Sequence, residues 1–368
     1  MALFRFSKNK SRTAAVTAQT AALSANRLYN LISFYPMSCR TRMYLALRES
    51  VPIIDAAINK LVRLTEGFSF ETGDESANLF LNTFMSRINV GGNQQGINAF
   101  ASNYLNQLLT CGTAVGEIIL GDCGVYALYN SDLSELELKR NENGIDVDFY
   151  TSGKRIPNEQ LILYSVLNPK PNDLCGTSVL SGLEFVTDVL MKIYNTIGEN
   201  WEHAGNIRYA VTCKDSGDDA KQRAQEIAEA WGEAMKSDSV KDFVAVGDVS
   251  VSVIGADNKV LDSEIPVRQL LEQIVAKLGI PPFMLGLNWS STERMSTQQA
   301  DILTTELESY RRILTPVLIK IANLALALNG FMCEADVLWD DITLQDECEQ
   351  AKAQLYLAQA DRLRGEEL

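Results

Sequence analysis

Histidine is almost missing from this sequence. His203 is the only one in 368 residues, so no multi-histidine metal site can form and a Ser-His-Asp triad could be built around that residue alone. A solitary histidine is read as structural. The seven cysteines, at 39, 111, 123, 175, 213, 333 and 348, are odd in number and scattered, with no CxxC pair, a pattern that best fits assembly in a reducing cytosol. No P-loop, GxSxG or HExxH pattern occurs. The N-terminus MALFRFSKNKSRTAAV is basic but has no apolar core of secretory length, and the most apolar stretch, Ile313–Met332, is interrupted by Pro316, Lys320, Asn323 and Asn329. That stretch is expected to be a buried helix rather than a membrane span. Low-complexity tracts and internal repeats are also lacking.

Carboxylates are plentiful but do not converge. The densest group, Glu334, Asp336, Asp340 and Asp341, lies around a β-like run, where adjacent residues point to opposite faces, so Asp340 and Asp341 would not both hold one ion. The expectation is a protein with no catalytic residue, no metal and no cofactor.

What is present is a long chain, 46% apolar and 22% charged, able to bury more than one core. Its formal charge of −14 is uneven: residues 1–63 carry ten Lys or Arg against only Glu49 and Asp55, a segment of +8 that leaves −22 for the rest. Either a basic arm sits beside a solvated acidic body, or the N-terminal region faces a polyanion.

Along the chain, helical patterns cover Ala14–Leu31, a stretch from near Thr41 through Leu61, and Gly96–Leu109. Strand-like runs follow at Thr113–Leu120 and Val125–Tyr129, joined by the turn 121–124, then at Leu133–Leu138, Ile145–Tyr150 and Leu161–Val166, read as one antiparallel sheet. After the Pro/Asn loop 168–172, Ser178 is placed to cap a long helix whose stripe is Leu183, Val186, Leu190, Ile193, Ile197 and Trp201. Its opposite side carries Glu184, Asp188, Lys192, Glu199 and Glu202. A small βαββ insert follows: strands at Ile207–Cys213, Phe243–Val246 and Val249–Ile254 around a helix bearing Ala220, Ala224, Ile227, Trp231 and Met235. A helix from Glu264 stops at Gly279 before Pro281-Pro282. The polar stretch 286–296 is expected to be an exposed loop, and a helix from Thr297 to Leu328 to be kinked or divided at Pro316. A short β-like piece at Val337–Trp339 precedes a terminal helix, 344–363. The class is α+β.

Four strings in this order, LLTCGTAVGEIIL (108–120), LCGTSVLSGLEFV (174–186), IVAKLGIPPFMLGL (274–287) and STQQADILTTELESYRRILTPVLIKIANLALA (296–327), resemble the portal proteins of tailed double-stranded DNA phages. The third is the most specific. The likeness runs from about residue 40 to 360, with departures at Ala322, where relatives often carry glutamate, and at the C-terminus, where many continue. The resemblance implies a portal fold divided into a basic arm (1–39), wing (40–176), first stem helix (177–205), clip (206–260), second stem helix (261–282), tunnel loop (283–297), tunnel helix with a return to the wing (298–343) and a short crown helix (344–368). It implies a homododecameric ring at one capsid vertex of the virion, assembled in the host cytoplasm. Packaging and ejection of non-sequence-specifically bound double-stranded DNA would run through it. Its partners would be the major capsid protein, scaffolding protein, large terminase and a head-tail adaptor, with no membrane. Another head-completion or minor capsid role is the alternative. Under this resemblance the tunnel-loop candidates are Asn288, Trp289, Ser290, Ser291, Thr292, Glu293, Arg294 and Met295, with Arg294 as a phosphate contact. The channel-lining candidates are Glu184, Asp188, Lys192, Glu199 and Glu202, for which a plain solvated helix face remains the alternative. Docking candidates on the clip are Lys214, Asp215, Trp231, Met235 and Lys236, although for Trp231 and Met235 the amphipathic spacing favours a local core over docking. A conduit should present few ordered cations, because strong phosphate binding would stall sliding DNA, and the acidic body agrees with that.

Overall fold

The structure is a computed structural model that describes residues 37–122, 124–141, 143–144, 146–205, 208–213, 225, 229, 249–254, 263–287 and 293–342. The expected helices at 14–31 and 344–363 and the strand at 243–246 lie outside the described residues. Contacts divide the chain into two units, Met1–Thr187 with Glu272–Leu368, and Asp188–Leu271. Both boundaries fall inside helices.

The first unit opens with α1 (Met37–Ser50) and α2 (Pro52–Thr65), which the sequence pattern runs together. Val51-Pro52 separates them, since the residue before proline is driven to extended backbone and Pro52 then starts the new helix. There follow β1 (Phe68–Glu71), α3 (Glu75–Arg87), the short β2 (Asn89–Val90) and β3 (Gln94–Gln95), and α4 (Ile97–Cys111). Next come β4 (Thr113–Gly121), β5 (Gly124–Asn130), β6 (Leu136–Arg140), β7 (Val147–Thr151), β8 (Lys154–Arg155) and β9 (Ile162–Val166). Two sheets result where one is expected. The larger has the order β3-β2-β5-β4-β9, with β2 parallel to β5; β6-β7-β8 form a separate three-stranded sheet. Leu136 and Phe149 turn inward from that small sheet onto Val115, Leu133 and Ile162, so the two sheets share a core without sharing hydrogen bonds.

The remaining elements are α5 (Leu183–Gly205), β10 (Arg208–Cys213), β11 (Val249–Ile254), α6 (Glu264–Leu278), α7 (Glu293–Leu328) and β12 (Asp336–Trp339). β12 pairs antiparallel with β1, Phe68 opposite Trp339. The core of the first unit is built from Ile54, Ile58 and Leu61 of α2, Phe100, Tyr104 and Leu108 of α4, and Leu307, Leu314, Leu318 and Ile321 of α7, all buried. Each such side chain contributes about 1.5–3 kcal/mol.

Of the two outcomes expected at Pro316, division does not occur: α7 is one 36-residue helix with Pro316 inside it. The missing N–H and ring clash cost about 3 kcal/mol. Burial of Leu314, Val317, Leu318 and Ile321 around the proline exceeds that. The helix also starts at Glu293, so Glu293, Arg294 and Met295 are helical rather than loop. Glu-Arg-Met are good helix formers and a leading glutamate suits the N-terminal dipole, so helix forms there without an apolar face. Ile313–Met332 is the buried helix expected through Leu328, and no described helix is long and apolar enough to cross a membrane.

Candidate functional site

α5 is the longest charged surface outside α7, and it forms because its apolar residues recur every three or four positions. Leu183, Val186 and Leu190 are buried, Ile193 and Ile197 half-buried, whereas Met191, Tyr194 and Trp201 are exposed, Trp201 by 68%. With the open Gly198, these last three make a seam at spacings of three, four and three, the period of a helix awaiting another helix. On the polar side Asp188 Oδ2 pairs with Lys192 Nζ at 2.9 Å, and Glu199 is exposed. Glu202 lies in the helix, its side chain outside what is described.

Glu184 differs from its neighbours. It is half-buried, accepts a hydrogen bond from Gly182 N at 3.1 Å, and burial raises its carboxyl above the ordinary 4.5 against the opposing pull of that bond and of Lys277. Tyr44 is pushed up to about 12, chiefly by burial and then by the Glu184 charge. This carboxylate is part of a packed junction rather than an open wall.

The junction explains two of the strings read from the sequence. Gly112 ends α4 in the left-handed region (φ +78°), and a Cβ there would lie 2.6 Å from Ser178 N. A Cβ on Gly176 would lie 1.9 Å from Gly112 O and 2.5 Å from both Leu167 N and Leu167 O. The two Cys-Gly-Thr triplets, 111–113 and 175–177, are thus laid backbone to backbone. Leu167 N donates to Gly112 O (2.8 Å), Thr177 N to Leu167 O (2.6 Å) and Gly176 N to Thr113 Oγ1 (3.0 Å). Ser178 is not the cap of α5. Its hydroxyl donates to Thr110 O and accepts from Leu180 N, and the helix begins five residues later, at Leu183. The close approach of the glycines commits residues 176–180 to this clamp and delays the helix.

Of the loop candidates, Asn288, Trp289, Ser290, Ser291 and Thr292 lie outside the described residues. Pro282–Leu285, just before them, is a 3-10 turn closed by Gly286, and Met295 is exposed on the first turn of α7. Lys214, Asp215, Trp231, Met235 and Lys236 also lie outside; of that insert, β10 and β11 are described, paired antiparallel with Arg208 opposite Ile254.

Sequence reasoning missed two cation networks. Arg48, counted in the basic segment, is spent internally: Nε donates to Asp55 Oδ1 (3.0 Å) and Nη1 to Thr110 Oγ1 (2.8 Å), with Asn59 and Asn106 completing the shell. Arg311 is buried on α7, donating to the carbonyls of Thr65, Glu66 and Asp340 and lying 4.9 Å from the Trp339 ring. The available signal was a cation directly after Tyr310 on an otherwise apolar stripe. Asp336 stands opposite Glu71 in the β1–β12 ribbon, and among the described residues no three His, Cys, Asp or Glu side chains group as metal ligands.

No family model and no curated protein sequence matches this chain. Solved structures do. A chain from the neck of a native GTA particle, computed with C12 symmetry, aligns with a TM-score of 0.59 at 14% identity, covering 86% of this chain and 89% of that one. A chain from the virion of a native gene transfer agent particle aligns at 0.61 and 13% identity, with the same coverage. An HK97-family phage portal protein from Corynebacterium diphtheriae aligns more weakly, with a TM-score of 0.46 at 11% identity, covering 79% of this chain and 93% of that one. The order of helices, sheets and inserted unit described above is therefore the fold shared with these gene transfer agent chains.

Proposed function

We propose that this chain is the portal subunit of a tailed phage or phage-like particle, one member of a ring at a capsid vertex through which double-stranded DNA is packaged and ejected. The observation that carries the reading is the fold shared with gene transfer agent chains over 86% of this chain, one of them from a neck computed with C12 symmetry. The four strings that resemble the portal family support it independently. So does the exposed seam of α5, because Met191, Tyr194 and Trp201 are more apolar surface than one isolated helix should leave in water.

In this reading the subunits form a homododecamer. The face carrying Asp188, Lys192, Glu199 and Glu202 lines the channel, and residues 288–292 with the first turn of α7 form the collar on the DNA backbone. Asp188 is neutralised locally by Lys192, which leaves Glu199 and Glu202 as the net charge of that face. Glu184 is withdrawn from the role by its burial. The inserted unit would dock the large terminase and, later, the head-tail adaptor; the outer parts would meet major capsid and scaffolding protein. The work is mechanical and electrostatic, with no catalytic step. Native mass measurement with negative-stain imaging tests it: a twelve-membered ring with a central hole is expected, and a monomer under all conditions overturns the proposal.

A further inference from the structure

Phe80 and Phe84 of α3 stack at 6.1 Å, and Phe80 tilts onto Phe331 at 5.5 Å. None of the three rings is fully buried, and Leu79, Leu328 and Met332 beside them in the chain are exposed, Met332 completely (102%). A group of this size on one unit marks a contact surface. The same two segments carry Glu71, Glu75, Glu334 and Asp336, all exposed. Glu71 and Asp336 are register partners on the outer face of the β1–β12 ribbon. Like charges directly opposite one another destabilise a strand pair, and neither carboxylate has an ion pair with a described residue. The surface therefore suits an occupant that is apolar and cationic at once and carries no acid of its own.

The chain supplies one. Residues 1–36 hold Arg5, Lys8, Lys10, Arg12 and Arg27 and neither Asp nor Glu, and Leu3, Phe4 and Phe6 are interleaved with the first of those cations. The 24 residues between Arg12 and Met37, where α1 begins, can reach about 80 Å when extended, farther than the width of a unit this size. We propose that the N-terminal segment 3–12 of this chain docks on the aromatic, acid-rimmed surface formed by residues 71–84 and 328–336. Phe4 and Phe6 lie against the Phe80–Phe331 pair, and the cations relieve Glu71 and Asp336. The inference does not rest on the portal reading and can fail or stand without it.

Hydrogen-deuterium exchange on the full-length protein tests it, read on peptides from 75–87 and 326–334. In the intact chain these segments exchange about tenfold slower than in a full-length variant with Arg5, Lys8, Lys10 and Arg12 all changed to Glu, a difference of about 1.4 kcal/mol. The pair Glu71→Lys and Asp336→Lys removes the protection likewise, and combining both sets of reversals restores it. Unchanged exchange in the arm variant overturns the proposal. So does protection that appears only when double-stranded DNA is added, which would assign the basic arm to a polyanion instead. The rescue arm separates docking from simple damage to the fold, since two misfolding changes would not repair each other.

Discussion

Gly176→Ala is the sharpest test of the backbone clamp. The new methyl would sit 1.9 Å from Gly112 O and 2.5 Å from Leu167 N and O, all main-chain atoms that cannot rotate away. Relief requires separating the two Cys-Gly-Thr segments, which stretches the bonds Leu167 N to Gly112 O, Thr177 N to Leu167 O and Gly176 N to Thr113 Oγ1. At about 1 kcal/mol net for each bond, plus about 1–3 kcal/mol for overpacking, the loss is about 4–6 kcal/mol. Lower entropy of the unfolded alanine chain returns about 0.5–1 kcal/mol. The expected net destabilisation of about 4 kcal/mol approaches the whole stability of an ordinary domain. Urea titration followed by circular dichroism should show the midpoint collapse, with a thermal shift of roughly 8–16 °C where the protein still folds. A loss below about 1 kcal/mol would refute the clamp and return both triplets to the status of ordinary loop sequence.

Four further outcomes follow from particular contacts. Gly198→Ala, in the exposed middle of α5 with nothing within 4 Å of the added methyl, should stabilise the subunit by about 1 kcal/mol in the same titration; a loss would mean the helix is closely covered there. Arg311→Met should cost about 2–4 kcal/mol by stranding the carbonyls of Thr65, Glu66 and Asp340, and a neutral result in thermal unfolding would show that water replaces the guanidinium without penalty. Because burial raises the Glu184 carboxyl above 4.5, both states are protonated well below that pH and no penalty exists. As pH rises through the interval between the ordinary and the raised value, the folded state loses stability. Glu184→Gln should therefore melt higher than the parent at pH 7 and equal to it in strong acid, and the opposite pH trend would contradict the assignment. Trp201→Ser should leave subunit melting within about 0.5 kcal/mol, since the ring is 68% exposed, yet lower the fraction of rings seen by native mass measurement; intact ring yield would remove α5's seam from the subunit contact.

Local signals were enough wherever the physics is local. The hairpin 113–130, the helix of α4 and the stop of α6 at Gly279, left-handed at φ +68°, are written in turn residues, alternation and three-to-four spacing. The charged side of α5 was legible for the same reason, since helical period alone sorts Asp188, Lys192 and Glu199 from Leu183 and Leu190. The start of α7 was misplaced because an absent apolar face was taken as absent helix, whereas Glu-Arg-Met needs no such face to be helical. Pro316 does not divide α7 because its cost is local and the burial that offsets it is not.

By itself, then, the sequence determined the α+β class, the order of its long helices and hairpins and the uneven charge; the four strings that resemble portals also stand in it. Only the tertiary structure decided that β1 pairs with β12 from the far end of the chain, that Arg48 and Arg311 are consumed as internal struts, that Glu184 is half-buried in a packed junction, and that two Cys-Gly-Thr triplets are one joint. Those features depend on main-chain atoms brought together across long sequence separation, where no periodicity records which carbonyl a guanidinium will meet or which glycine must let another strand pass.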